Sequence, residues 1–182
     1  MGFLQTSMKE FSSFKQDDIF SEPLVFTSFV TACKGHDPAY MNVASMEDLN
    51  QVLEDKLQEY NENVSAMDLV LFNMAMCHIT RIARIIDQPN GHALLVGVGG
   101  SGKQSLSKLT SFILSYDVFR IVVTSSYSPV DLRADIQTVF KKAGVTGTQT
   151  LFILTDAQIV NERFLIDIND ILSSGYVPEL FA

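Results

Sequence analysis

The sequence predicts an α/β fold, a parallel sheet flanked by helices, and three observations point to it. From Gly91 onward, short apolar runs alternate with helical stretches. Strands separated by helices run parallel and need cover on both faces. The stretch LLVGVGGSGKQSL at 94–106 sets a glycine-rich turn between an apolar run and a helical one, the context in which such a turn binds phosphate. Finally, 182 residues with 47% hydrophobic and 19% charged side chains suit one folded domain rather than a disordered chain.

Taken in order, residues 1–44 read as an N-terminal segment leading into the module, and 45–182 as the module itself. KEFSSFK resembles the end of a helix, and Pro23, Gly35 and Pro38 break up the rest of that segment. Ser45 opens a helix, with Asp48 as its capping partner and Leu49, Val52, Leu53, Leu57 and Tyr60 on one face. A second helix is expected from about Met67 to Asp87, its stripe formed by Leu71, Ala75, Ile79, Ile82 and Ile86. Met67, Met74 and Met76 read as core filler, Cys77 as a buried thiol and His78 as a structural histidine. QPNG then stops the helix.

HALLVG is expected to be a buried strand, and GKQSLSKLTSFILS a helix with Leu106, Leu109, Phe112 and Ile113 inward. FRIVV is the second strand, followed by a helix from Pro129 to Gly144. TLFILTD is the third strand, and NERFLIDINDILSSG a helix ended by Gly175.

The totals exclude several classes of partner. A formal charge of −8 offers no attraction for nucleic acid or an anionic membrane. No apolar run approaches the ~18 residues of a membrane span, and the first residues lack the apolar core of a signal peptide. Two cysteines, Cys33 and Cys77, suit a reducing compartment and form no metal pattern. The expectation is a soluble intracellular protein.

Gly97, four residues, Gly102 and Lys103 make the phosphate-loop pattern, with Val98, Gly99, Gly100 and Ser101 between and Gln104 and Ser105 after. Glycines at 97, 99, 100 and 102 permit positive φ and close approach to phosphate oxygens. Amides at a helix N-terminus attract the anion, and Lys103 adds a full charge for the β- and γ-phosphates. The next position usually carries a hydroxyl that ligates Mg²⁺. Here it is Gln104, and Ser105 lies about 100° further round the helix. Magnesium should be held weakly.

A Walker B strand ends in two acids, one organising Mg²⁺ and one activating water. In TLFILTD the pair is Thr155 and Asp156, a hydroxyl in the metal position and a short base. Slipped by one residue, Asp156 takes the metal role and Ala157 leaves no base. Either register lacks one carboxylate.

These stretches resemble the fourth AAA+ module of a dynein heavy chain, most closely the axonemal kind. MDLVLFNMAMCHITRIARIIDQPNGHALLVGVGGSGKQSLSKLTSFI is similar to that module's first helix and phosphate loop, Gln104 included. LFILTDAQIVNERFLIDINDILSSGYVPELF is similar to its Walker B region, while DIFSEPLVFTSF and DPAYMNV match the way in. The resemblance runs from about residue 17 to the end; residues 1–16 match poorly.

It implies a microtubule motor of the ciliary or flagellar axoneme, with six AAA+ modules in a ring, of which the fourth is a regulatory site for ATP or ADP. By position, Gly97, Gly102 and Lys103 would hold phosphate, Gln104 would stand at the metal-ligand position, and Thr155 and Asp156 at Walker B. Gln158 would be a sensor-side contact, and Leu24 to Phe26 would border adenine or simply pack in the core. The implied partners are neighbouring modules of the same heavy chain, with microtubules reached only through parts outside this sequence.

Five strands in the order 5-1-4-3-2 are implied, of which this chain would supply the first three and so be an incomplete piece. Two other readings remain. A structural remnant would hold a ring together without nucleotide. A small phosphotransferase would need a full Mg²⁺ site and an arginine-rich lid, and the five arginines here form no cluster.

Overall fold

The computed structural model describes residues 24–181. The predicted helix end in KEFSSFK lies outside them. A two-residue strand β1 (Phe26–Thr27) pairs antiparallel with β2 (Met41–Asn42), with the short helix α1 (Phe29–Cys33) between them. Helices α2 (Met46–Asn63) and α3 (Asn73–Ile86) come next. The second half holds α4 (Lys103–Ile113), β3 (Asp117–Phe119), α5 (Pro129–Gly144), β4 (Thr150–Phe152), a 3₁₀ turn at Asp156–Gln158 and α6 (Phe164–Ser174).

Local chemistry explains the boundaries. Ser45 Oγ accepts the Asp48 N–H at 3.1 Å to start α2. Ser128 precedes Pro129, and both its N–H and its hydroxyl donate to the Asp131 carboxylate, at 2.8 and 2.7 Å. Those bonds, the hydroxyl's first, hold the Asp131 carboxyl below its ordinary range. Gly175, at φ 70°, closes α6 in the left-handed conformation that suits glycine.

α3 begins at Asn73 rather than near Met67. Residues 67–72 are extended, with Leu69 and Leu71 turned inward and Asp68, Val70 and Phe72 outward. That is the two-residue alternation of extended chain. The predicted α3 stripe holds, since Ala75, Ile79, Ile82 and Ile86 are all buried. Met76 joins them, and half-buried Met67 and Cys77 pack against the same cluster, but Met74 and His78 are exposed and are not core residues.

β3 and β4 pair in parallel, with Val118 opposite Leu151, the neighbours expected of the second and third strands. The ladder covers only 117–119 and 150–152, so of the expected FRIVV strand only Phe119 takes part, and TLFILTD leaves the sheet after Phe152. Two cores lie on either side of the two strands. Leu151 packs with the cluster built by Val25, Phe29 and helices α2, α3 and α4. Phe152 and Leu154 pack with the other, formed by Ile121, Leu132, Ile136, Phe164, Val177 and Leu180. Successive strand residues face opposite sides, so β4 is the wall between the two clusters.

The predicted buried strand at 92–97 is not one. Among the described residues it has no ladder partner, and Leu94, Val96 and Val98 are 90%, 86% and 78% exposed. Leu95 alone reaches the first cluster. An apolar run becomes a buried strand only when neighbours supply bonds and cover, and this run has no ladder bonds among the described residues and cover only at Leu95.

Candidate functional site

The glycine-rich loop connects that exposed run to α4. A Cβ at Gly97 would sit 3.2 Å from Ser101 Oγ, so close approach within the loop favours glycine there. Gly100 and Gly102 take φ of 76° and 75°, the region a side chain disfavours. Gly97 and Gly99 do not, so the loop uses positive φ at two of its four glycines. Gly102 is also the N-cap of α4, and Leu69 from the extended approach to α3 lies 3.7 Å from where its Cβ would be.

Lys103 bends back over the turn. Its Nζ donates to the carbonyl oxygens of Gly97 and Val98, both at 2.7 Å, and to Ser101 Oγ at 3.1 Å. An ammonium has three donors, and all three are used within the loop. Val98 and Ser101 thus hold the lysine, a role the spacing alone did not reveal. Lys103 is also the first residue of an eleven-residue helix, and the free amides at a helix N-terminus suit an anion such as phosphate. Gln104 is exposed, and its amide makes no side-chain hydrogen bond among the described residues.

α4 is anchored by buried Leu106 and Leu109. Three of its hydroxyls are also buried, each donating to a carbonyl: Ser107 to Lys103, Thr110 to Leu106 and Ser111 to Tyr116. The bonds satisfy groups that would otherwise be costly to bury.

Thr155 and Asp156 lie just past β4. Thr155 is half-buried and its hydroxyl donates to Gln158 Oε1 at 2.9 Å, while Asp156 is exposed at the start of the 3₁₀ turn. Gln158 Oε1 also accepts the Thr155 N–H at 2.9 Å, and Nε2 donates to the Ile121 carbonyl at 2.7 Å. Gln158 thus clamps the ends of two neighbouring strands. The Thr-x-x-Gln spacing, a capping-box pattern, would have signalled the first contact; the Ile121 contact had no signal in sequence.

No hydrogen bond links Lys103 or Gln104 to Thr155 or Asp156 among the described residues. Near the N-terminal end, Val25 is core, and Phe26 stacks on Tyr40 at 5.9 Å. The described residues contain no group of three His, Cys, Asp or Glu able to hold a metal ion, and no helix long and apolar enough to cross a membrane.

A phosphate group fits the loop, on the two positive-φ glycines and the fixed ammonium. The donor set for a divalent cation is thinner: one engaged hydroxyl, one exposed carboxylate and an amide.

Comparison with known proteins gives a consistent picture. The family model described as P-loop containing dynein motor region D4 matches residues 67–182. The chain is 50% identical over 165 residues to the dynein beta chain of the flagellar outer arm of Chlamydomonas reinhardtii, and 49% identical over 177 residues to the alpha chain of the same arm. It is 43% identical over 178 residues to human dynein axonemal heavy chain 17. These matches cover 90%, 95% and 98% of the chain, which spans about 4% of the length of each relative.

Proposed function

The chain belongs to the dynein heavy-chain family, in its motor region D4, and on that premise we propose that it is an AAA+ module that binds ATP or ADP and hydrolyses it weakly or not at all. Its setting is the axoneme, as the names of its flagellar, ciliary and axonemal relatives suggest. Residues 45–182 are the module and 1–44 lead into it. Its partners are neighbouring modules of the same heavy chain, and its role there is regulatory. Contact with microtubules belongs to other parts of the chain.

The observation that carries the reading is the loop from Gly97 to Lys103, with left-handed Gly100 and Gly102 and with its ammonium held on the Gly97 and Val98 carbonyls. Phosphate oxygens would take up the amides at the start of α4, and Lys103 would exchange a carbonyl contact for a charged one. Val98, Gly99 and Ser101 complete the wall of the loop, with Gln104 and Ser105 behind it. A bound Mg²⁺ would supply charge neutralisation at the phosphates. Gln104, Thr155 and Asp156 are the residues that would approach it, and together they bring one carboxylate. Asp156 is also the candidate base. Weak metal binding and weak base catalysis result from that set.

One observation favours a different reading, a structural module that binds no nucleotide. Every proton of the Lys103 ammonium already has an acceptor in its own loop. Titration of the chain with ATP and with ADP by calorimetry decides between them. Binding is expected in the wild type and should weaken by about 2 kcal/mol or more in Lys103→Ala, the scale of a charge-assisted hydrogen bond. Equal affinity in the mutant would rule out the loop as the site, and no binding in the wild type would leave the structural reading.

A further inference from the structure

The orientation of the Gln158 amide has a single solution. Ile121 presents a carbonyl, which only accepts, so the group facing it at 2.7 Å is the NH₂. Thr155 presents a backbone N–H, which only donates, so the group facing it at 2.9 Å is the amide oxygen. That same oxygen lies 2.9 Å from the Thr155 hydroxyl and cannot donate to it. A hydroxyl has one proton. Thr155 therefore spends it on Gln158 and presents only lone pairs to its other side.

We infer that Gln158 is a positioning residue: it turns Thr155 into a neutral, acceptor-only group that receives an O–H from the water carried by a nucleotide's divalent cation. The inference rests on the nucleotide-binding reading and extends it to residues beyond the loop. A carboxylate, the usual group at this position of the motif, is also acceptor-only. Thr155 held by Gln158 keeps that polarity and gives up the charge. Thr155 lies just past the carboxyl end of β4, the edge at which open parallel sheets bind ligands, and a water can link groups that do not touch directly.

The test is the ATP dissociation constant of the 182-residue chain, measured with Mg²⁺ and with EDTA, and read as the ratio of the two. Thr155→Val and Gln158→Met should each lower the advantage given by Mg²⁺ about fivefold, the size of one hydrogen bond. Affinity in EDTA should stay the same, and Thr155→Ser should restore the ratio. Without any ligand, the unfolding midpoints of the two variants and their double should be non-additive, because the Thr155–Gln158 side-chain bond is lost in both. Thr155→Val leaves both backbone contacts of Gln158 intact, so it carries the test if Gln158→Met fails to fold. ATP binding with a ratio unmoved by Thr155→Val, or a wild-type ratio near one, overturns this inference and leaves the nucleotide reading standing. A wild type that binds ATP in neither condition overturns both.

Discussion

Arg133 grips the buried carboxylate of Asp167 with two nitrogens, Nη2 lying 3.0 Å from Oδ1 and Nε 3.2 Å from the same oxygen. The pair joins α5 to α6 on the second core, and a further Arg133 bond, 3.3 Å to the Pro178 carbonyl, ties down the chain beyond α6. The bonds Arg133 donates to the Asp167 carboxylate raise its pKa further, so the guanidinium stays charged throughout the accessible range. Removing the arginine leaves Asp167 buried and unpaired, which is costlier than removing both partners. Arg133→Met should lose about 2 kcal/mol, a value set below that of a fully buried pair because the guanidinium is partly in water. Denaturant unfolding is the measurement, with the exposed Arg163→Met as the control expected to change little.

Hydrolysis should be limited by the metal and base positions rather than by binding. The combined variant Gln104→Thr, Thr155→Asp, Asp156→Glu restores a hydroxyl and two carboxylates. It should sharpen magnesium dependence more than it changes nucleotide affinity. Phosphate release measured against Mg²⁺ concentration tests this, and a wild-type turnover already near ~1 per second, the low end for ordinary enzymes, would contradict it.

Tyr127 donates to the Asp135 carboxylate and packs edge-on against Phe164 at 5.8 Å. Burial first, and then the hydrogen bond to Asp135, raise its phenol well above the ordinary value. A group whose pKa is raised on folding adds stability that is fully present below its unfolded pKa, near 10, and lost as the pH climbs through the folded value. Unfolding midpoints should therefore fall above about pH 10. Tyr127→Phe should lose stability at neutral pH and show a shallower alkaline decline. Equal slopes for the two proteins would remove Tyr127 as a cause.

The exposed run at Leu94, Val96 and Val98 combines an unpaired backbone with apolar side chains, which invites association between chains. Light scattering should show the isolated chain to be associated at micromolar concentration. Leu94→Lys with Val96→Lys should reduce it while leaving the helical circular dichroism unchanged. A wild type that stays monodisperse would contradict this.

Most helices were legible because their signals are local. Ser45, Pro129 and Gly175 mark ends by their own backbone and side-chain chemistry, and the α3 stripe repeats at the period of a helix. The start of α3 is not legible in the sequence, because Met67 to Phe72 is apolar enough to pass for a helical turn. Only packing shows that its residues alternate in and out.

The candidate site divides in the same way. The glycines, Lys103, Gln104, Thr155 and Asp156 could be named from spacing, since a phosphate loop and a strand-end acid are patterns along the chain. Which two glycines turn left-handed, and where the lysine's protons go, are set by how the loop closes on itself.

Residue identity and separations of a few residues were enough to set the family and most of the principal helices, and to name Gln104 and Thr155 as candidates for the metal positions. Packing in three dimensions made HALLVG an exposed run, placed β4 between two cores, and brought Gln158 to Ile121, 37 residues away, to fix the Thr155 hydroxyl. Burial and hydrogen-bond partners depend on what the fold brings alongside a segment. An apolar run or an amide in the sequence does not state which neighbour it will have.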